Sequence, residues 1–226
     1  SPAAAARRPA LLLIHGGGWR AGGRGELAGL ARWLAQQGML PVAIDYRLAP
    51  QSHWPAQAED VEVAVWWLRE NAASLGIDPQ RVVAIGSSAG GHLAAWLATT
   101  DRTSPRGTPS RADAVVSLAG PWDLAAGNLH DDAKGMVATL LAGQPARAAS
   151  PLWRIDARSA PALLIHGTKD ELIPPDQSTR ACDALRAAQV HCDLMLLEGE
   201  GHALSSRAAE VSARRERIRA FIAARG

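Results

Sequence analysis

The stretch Arg81-Val82-Val83-Ala84-Ile85-Gly86-Ser87-Ser88-Ala89-Gly90-Gly91 decides the fold, because an apolar run of strand length passes through a tight Gly/Ser turn into the Ala/Leu-rich segment Ser88 to Thr100. Glycines two residues to either side of Ser88 let the chain turn sharply enough to project its hydroxyl from the strand's end, over the amide-rich start of a helix. By itself Gly-Ser-Ser-Ala-Gly has two readings, a nucleophile or a turn built from small residues. Working outward, apolar runs of strand length alternate with longer segments of helical period, the pattern of an α/β protein with a parallel sheet. Strands are expected at Ala10 to Ile14, Leu40 to Asp45, Arg81 to Ile85, Ala114 to Leu118, Ala162 to Ile165 and Asp193 to Leu197. Helices are expected at Gly25 to Gln37, Ala56 to Ser74, Ser88 to Thr100, Gln177 to Ala188 and Ser206 to Ala224.

Other segments favour the nucleophile. His15-Gly16-Gly17-Gly18-Trp19 closes the first strand, Asp170 lies in the loop after the fifth, and His202 follows the sixth through the pliable Glu198-Gly199-Glu200-Gly201. The order is serine, acid, histidine, with a glycine-rich loop ahead of the serine. A serine hydroxyl is a poor nucleophile at neutral pH and needs a base within hydrogen-bond reach, the role expected of His202. Asp170 would fix the imidazole tautomer, with Glu171 as a neighbouring rival and Asp123 a more distant one. Trp19 and Trp122 follow strand C-termini, where the site must be, and are the candidate substrate-binding residues.

The chain resembles the α/β-hydrolase superfamily, and within it the HGGG-type carboxylesterases of the hormone-sensitive-lipase-like and feruloyl-esterase-like groups. The resemblance is carried by HGGGW (15–19), DYRLAP (45–50), WPAQAEDV (54–61), GSSAGG (86–91), HGTKDELIP (166–174) and GEGH (199–202), which together span nearly the whole chain. Trp19 after the glycines is closer to the feruloyl-esterase-like and formamidase-like branch. The resemblance implies a three-layer α/β sandwich with a mostly parallel sheet of about six strands. It also implies Ser88, Asp170 and His202 as catalytic groups, and an oxyanion hole from the N–H groups of Gly17, Gly18 and Ala89. The HGTKD match puts Asp170 ahead of Glu171. The antiparallel hairpin and helical cap that such relatives carry ahead of the HGGG strand are not matched by Ser1 to Pro9. The Leu40 to Asp45 strand is therefore expected at an uncovered edge, capped by a partner copy, as in a homodimer, by a helix, or by residues missing upstream.

Bulk properties bound the rest. With 226 residues, 47% of them hydrophobic, one α/β-hydrolase domain over 1–226 is expected, and 121–156, with its Trp, Leu and Met residues, is the stretch able to form a small helical pocket wall. A formal charge of +2 gives a nucleic-acid partner little support, and no apolar run approaches the roughly 18 residues of a membrane span. No ligand spacing for zinc occurs, so neither metal nor cofactor is expected. Cys182 and Cys192 are expected as buried free thiols, with pairing the alternative. The compartment stays open, the cytoplasm ahead of export. Trp66 and Trp67 are expected to pack in the core, and His92 to be structural. The expected activity is hydrolysis of short acyl or aryl esters, a small-molecule substrate class, through an acyl-enzyme. The alternatives are an arylformamidase using the same groups and a non-catalytic binding protein of the same fold.

Overall fold

A computed structural model describes residues 7–204 and 207–225, so the expected start of the last helix at Ser206 and the first residues of the chain lie outside the described part. Six strands form one sheet: β1 (Arg8–Ile14), β2 (Leu40–Ile44), β3 (Ile77–Ser87), β4 (Ala114–Leu118), β5 (Ala162–Gly167) and β6 (Cys192–Leu197). They lie in the order β2-β1-β3-β4-β5-β6, and every pairing is parallel. Parallel pairing needs crossovers. Helices supply them, α1 (Ala28–Gln36), α2 (Ala56–Glu70), α3 (Ala72–Leu75), α4 (Ala89–Thr99), α5 (Asp131–Leu141) and α6 (Asp176–Ala187), and α7 (Ala208–Ala223) follows the last strand.

The strands read as unbroken apolar runs because both of their faces are covered. Along β1, Ala10, Leu12 and Ile14 join the core shared with α2, α4 and α6, whereas Leu11 and Leu13 join the opposite core with Leu34 of α1 and Ile218, Phe221 and Ile222 of α7. The layers are thus helix, sheet, helix.

Local departures from the expected elements have physical causes. The helix expected to run from Ala56 to Ser74 breaks at Asn71, whose side-chain amide donates to the Trp67 carbonyl at 2.8 Å and competes with the helical ladder. Trp66 and Trp67 were expected in the core, but Trp67 is 50% exposed and Val63, one turn earlier, 52%. Both sit beyond the last strand on that side: β2 is the edge, as expected, and Val42 and Ile44 line a groove there with Val63 and Trp67. Between Pro121 and Asp156 the chain forms α5 and two single 3₁₀ turns, Ala146–Ala149 and Pro151–Arg154. The Pro/Gly-rich segment Ser104 to Ser110, between α4 and β4, is a surface loop pinched by a bridge between Thr103 and Pro109.

The expectation of free thiols is corrected. Cys182 of α6 and Cys192 at the start of β6 form a disulfide with Cα atoms 5.4 Å apart. Helix and following strand pack side by side, and this brings together residues whose separation in sequence says nothing of geometry. Closing a loop this short removes denatured-state entropy worth about 2–3 kcal/mol. The double variant Cys182→Ser/Cys192→Ser is therefore expected to lose about that much stability in urea unfolding.

Candidate active site

The strand order reverses between β1 and β3, because the chain moves from β1 outward to β2 and returns to add β3 on β1's other side. In such sheets the loops leaving the strand C-termini part at that point and open a crevice. Gly16 to Gly18 leave β1 there, Ser88 leaves β3, Asp170 follows β5 and His202 follows β6.

Ser88 occupies the turn between β3 and α4 with φ 54° and ψ −117°, a left-handed conformation that non-glycine residues rarely adopt. Its N–H is tied to the Leu118 carbonyl at 2.8 Å, so the strained turn is held from the neighbouring strand. Because β4 lies between β3 and β5, Ser88 and Asp170 start two strand spacings apart, about 10 Å, too far for contact. The His202 imidazole spans the gap. Its Nε2 is 2.9 Å from Ser88 Oγ and its Nδ1 is 2.7 Å from Asp170 Oδ2. A carboxylate only accepts, so Nδ1 carries the hydrogen and Nε2 presents a lone pair to the Ser88 hydroxyl.

Asp170 is buried, and its Oδ1 accepts from the Leu172 and Ile173 N–H groups at 3.0 and 2.9 Å. Burial pushes its pKa up, but hydrogen bonds from His166, His202 and the Ile173 N–H outweigh it and hold the carboxyl well below the usual range. Of the rival acids, Glu171 is exposed, and Asp123 instead accepts from Trp153 Nε1 at 3.1 Å and Arg180 at 3.0 Å.

Gly17 and Gly18 have φ of +95° and +59°, and Arg20 and Ala21 donate back to the Gly17 carbonyl, which turns the loop so that the backbone lines the crevice. No backbone carbonyl among the described residues accepts from the N–H of Gly17 or Gly18. Ala89 begins α4, where a first-turn N–H has no intrahelical acceptor. Tyr46 braces this loop: its hydroxyl donates to the His15 and Gly16 carbonyls, each at 3.1 Å, and its ring stacks on His15 at 4.2 Å. DYRLAP contained this residue, but nothing in the pattern pointed to a loop thirty residues upstream.

The crevice holds a cavity of about 720 Å³ bounded by Gly16 to Gly18, Ser88 and His202, with Met136 of α5 and Leu172 on its apolar side and Arg20, Glu26 and Gln51 at a polar rim. Trp19 and Trp122, the expected substrate contacts, do not line it. Both are buried: Trp19 packs edge-on against His92 at 5.3 Å, and Trp122 joins the core beneath 121–156. Position after a strand fixed where each residue sits but not which way its ring turns. His92 is structural, its Nε2 2.7 Å from the Ala149 carbonyl, and burial pushes its pKa down to about 4. His166 is fully buried with its Nε2 3.1 Å from Asp170 Oδ2.

The BD-FAE family profile matches residues 1–185. Esterase LipC of Mycobacterium tuberculosis (strain ATCC 25618 / H37Rv) is 34% identical over 212 residues, covering 86% of this chain and 52% of LipC. The probable carboxylic ester hydrolase LipM of the same strain is 35% identical over 196 residues, covering 79% of this chain and 45% of LipM. The chain thus spans about half the length of the curated relatives it matches. Among solved structures, Thermogutta terrifontis esterase 2 phosphonylated by sarin superposes with a TM-score of 0.88 at 29% identity, over 99% of this chain and 86% of that one.

Proposed function

The chain belongs to the BD-FAE family, an α/β-hydrolase family, and we propose that it is a serine carboxylesterase that cleaves short-chain acyl or aryl esters. The observation that carries the proposal is the unbroken line of hydrogen bonds from Ser88 Oγ through His202 to Asp170, opening onto a cavity walled by the Gly16 to Gly18 backbone. In this reading Ser88 Oγ attacks the ester carbonyl carbon while His202 Nε2 takes its proton, and the carbonyl oxygen becomes an oxyanion. The free N–H groups of Gly17, Gly18 and Ala89 receive that charge, each donor contributing about a hundredfold or more in rate. Collapse of the intermediate breaks the bond to the alcohol, which leaves with the proton from His202. Water, deprotonated by the same nitrogen, then releases the acid and regenerates Ser88.

The short-acyl preference is supported by the apolar wall. Met136 sits so close over Gly18 that a Cβ on the glycine would lie 2.4 Å from Met136 Sδ, and Leu172 lines the same cavity. Each buried methylene contributes about 0.8 kcal/mol, roughly fourfold in specificity. Met136→Ala is therefore expected to raise kcat/KM for hexanoate over butyrate about tenfold in a p-nitrophenyl ester series. The reading is tested by turnover of p-nitrophenyl acetate, butyrate and octanoate, with an N-formyl aromatic amine alongside, and by mass measurement of fluorophosphonate labelling. Acetate or butyrate turnover with one label per chain on Ser88 is expected. Reaction of the formamide alone would favour the amidase, and a folded chain with neither turnover nor labelling would overturn the reading.

A further inference from the structure

One of the buried histidines that the mechanism above leaves unused touches the Asp170 carboxylate. His166, the last but one residue of β5, is fully buried, and each of its ring nitrogens has a partner. Nε2 faces two acceptors, Asp170 Oδ2 at 3.1 Å and the Ile173 carbonyl at 2.8 Å, so this nitrogen must carry hydrogen. Nδ1 lies 2.7 Å from the hydroxyl of Ser178, in the first turn of α6, which is also fully buried. With its hydrogen directed at Nδ1, the serine hydroxyl satisfies the ring's lone pair. A hydrogen on Nδ1 instead would leave the serine's own hydrogen without an acceptor among the described residues, a costly state in a dry interior.

We propose that His166 is a positioning residue for the reaction: the Ser178 hydroxyl locks its ring with the hydrogen on Nε2, and that hydrogen holds the Asp170 carboxylate in the orientation that reaches His202. The proposal rests on the reading of Ser88, His202 and Asp170 as the reacting groups. Asp170 Oδ1 is fixed by backbone N–H groups, but Oδ2 would otherwise be held only by His202, the ring that must gain and lose a proton in every turnover. A second donor on Oδ2 that takes no part in the proton transfer keeps the carboxylate from following the imidazole. It also spreads the carboxylate's charge over two rings, so His166 moderates the basicity that Asp170 confers on His202. The support is anchored: Gln177, beside Ser178, accepts from the Trp122 and Asp123 N–H groups at 2.9 and 2.8 Å, and α6 is tied to β6 by the disulfide. The other charged groups nearby are Lys169 and Glu171 on the Asp170 loop, Glu200 paired with Arg207 on the His202 loop, Arg180 of α6 paired with Asp123 and Asp176, and Arg20 and Glu26 across the cavity. Among the described residues none of these side chains hydrogen-bonds Asp170, His166 or His202.

The test compares kcat and KM for p-nitrophenyl butyrate across pH 5 to 9 in the wild type, His166→Phe, His166→Gln and Ser178→Ala, with folding checked by circular dichroism. His166→Phe is expected to lower kcat roughly 10- to 100-fold with KM little changed. Its acid limb of kcat/KM should move to higher pH, since a carboxylate that has lost a donor holds the His202 imidazolium more tightly. His166→Gln, whose amide N–H can reach Oδ2, should recover most of kcat. Nitrogen NMR of the wild type should find His166 with hydrogen on Nε2, a signature disturbed in Ser178→Ala. A pH profile unmoved in both His166 variants, or a ring with hydrogen on Nδ1, overturns the proposal. If His166→Phe does not fold, the glutamine variant and the NMR signature decide. Failure of the wild type to turn over any ester would overturn the esterase reading and this role with it, whereas wild-type turnover with unmoved profiles overturns the positioning role alone.

Discussion

Ser88→Ala is expected to lower kcat/KM for p-nitrophenyl butyrate by about 10⁴-fold or more, with loss of fluorophosphonate labelling. The variant keeps the cavity, the free N–H groups and the His202–Asp170 pair, so binding and oxyanion stabilisation persist while the covalent route disappears. What remains is water attack assisted by the same loop, which is why some rate above background is expected to survive. Ser88→Gly separates this chemistry from backbone cost. At φ 54° a side chain is strained, by about 1–3 kcal/mol, and glycine relieves it. Ser88→Gly should therefore be as inactive as the alanine variant yet melt a few degrees higher than wild type. A lower melting temperature would show that the elbow's geometry is not strained.

Gly90→Ala carries a large expected structural effect. A Cβ on Gly90 would lie 2.1 Å from the Ile14 carbonyl oxygen and 2.5 Å from that of His15. Both obstacles are backbone, and both belong to the end of β1 and the start of the glycine loop. No rotamer change can relieve the clash, so either α4 lifts from the sheet or the loop moves. A loss of about 3 kcal/mol or more is expected in denaturant unfolding. Any protein that folds despite the clash should have lost activity as well, since only Gly16 separates the displaced residues from Gly17 and Gly18. Wild-type activity and stability together in this variant would contradict the close approach of α4 to β1.

The alternation of strands and helices and the loops bearing Ser88, Asp170 and His202 were legible in the sequence. Each depends on local chemistry: apolar runs, small residues at a turn, acid and base after strand ends. What was not legible depends on direction in space. Trp19 and Trp122 sit after strand ends but turn inward, because rings that large contribute most to stability when buried. Trp67 turns outward because α2 overhangs β2, where the sheet stops. The disulfide, the brace from Tyr46 to the glycine loop and the contact of His166 with Asp170 all join residues through the fold rather than along the chain. Of these, the last carried a usable sign. A histidine inside an otherwise apolar strand must find buried partners, and the nearest acid in sequence was Asp170.

The bridged loop between Thr103 and Pro109 lies where α4 has run back along the sheet to the start of β4, at the end opposite to Ser88. Every group that handles substrate in the proposed mechanism leaves from the strands' C-termini, so this loop shares no contact with them. Added residues or a fused module beside Gly107, which is exposed and has no atom within 4 Å of where a Cβ would stand, would meet only solvent. In the proposed mechanism this tip and the chemistry lie at opposite poles of one sheet, so the first can vary without altering the second.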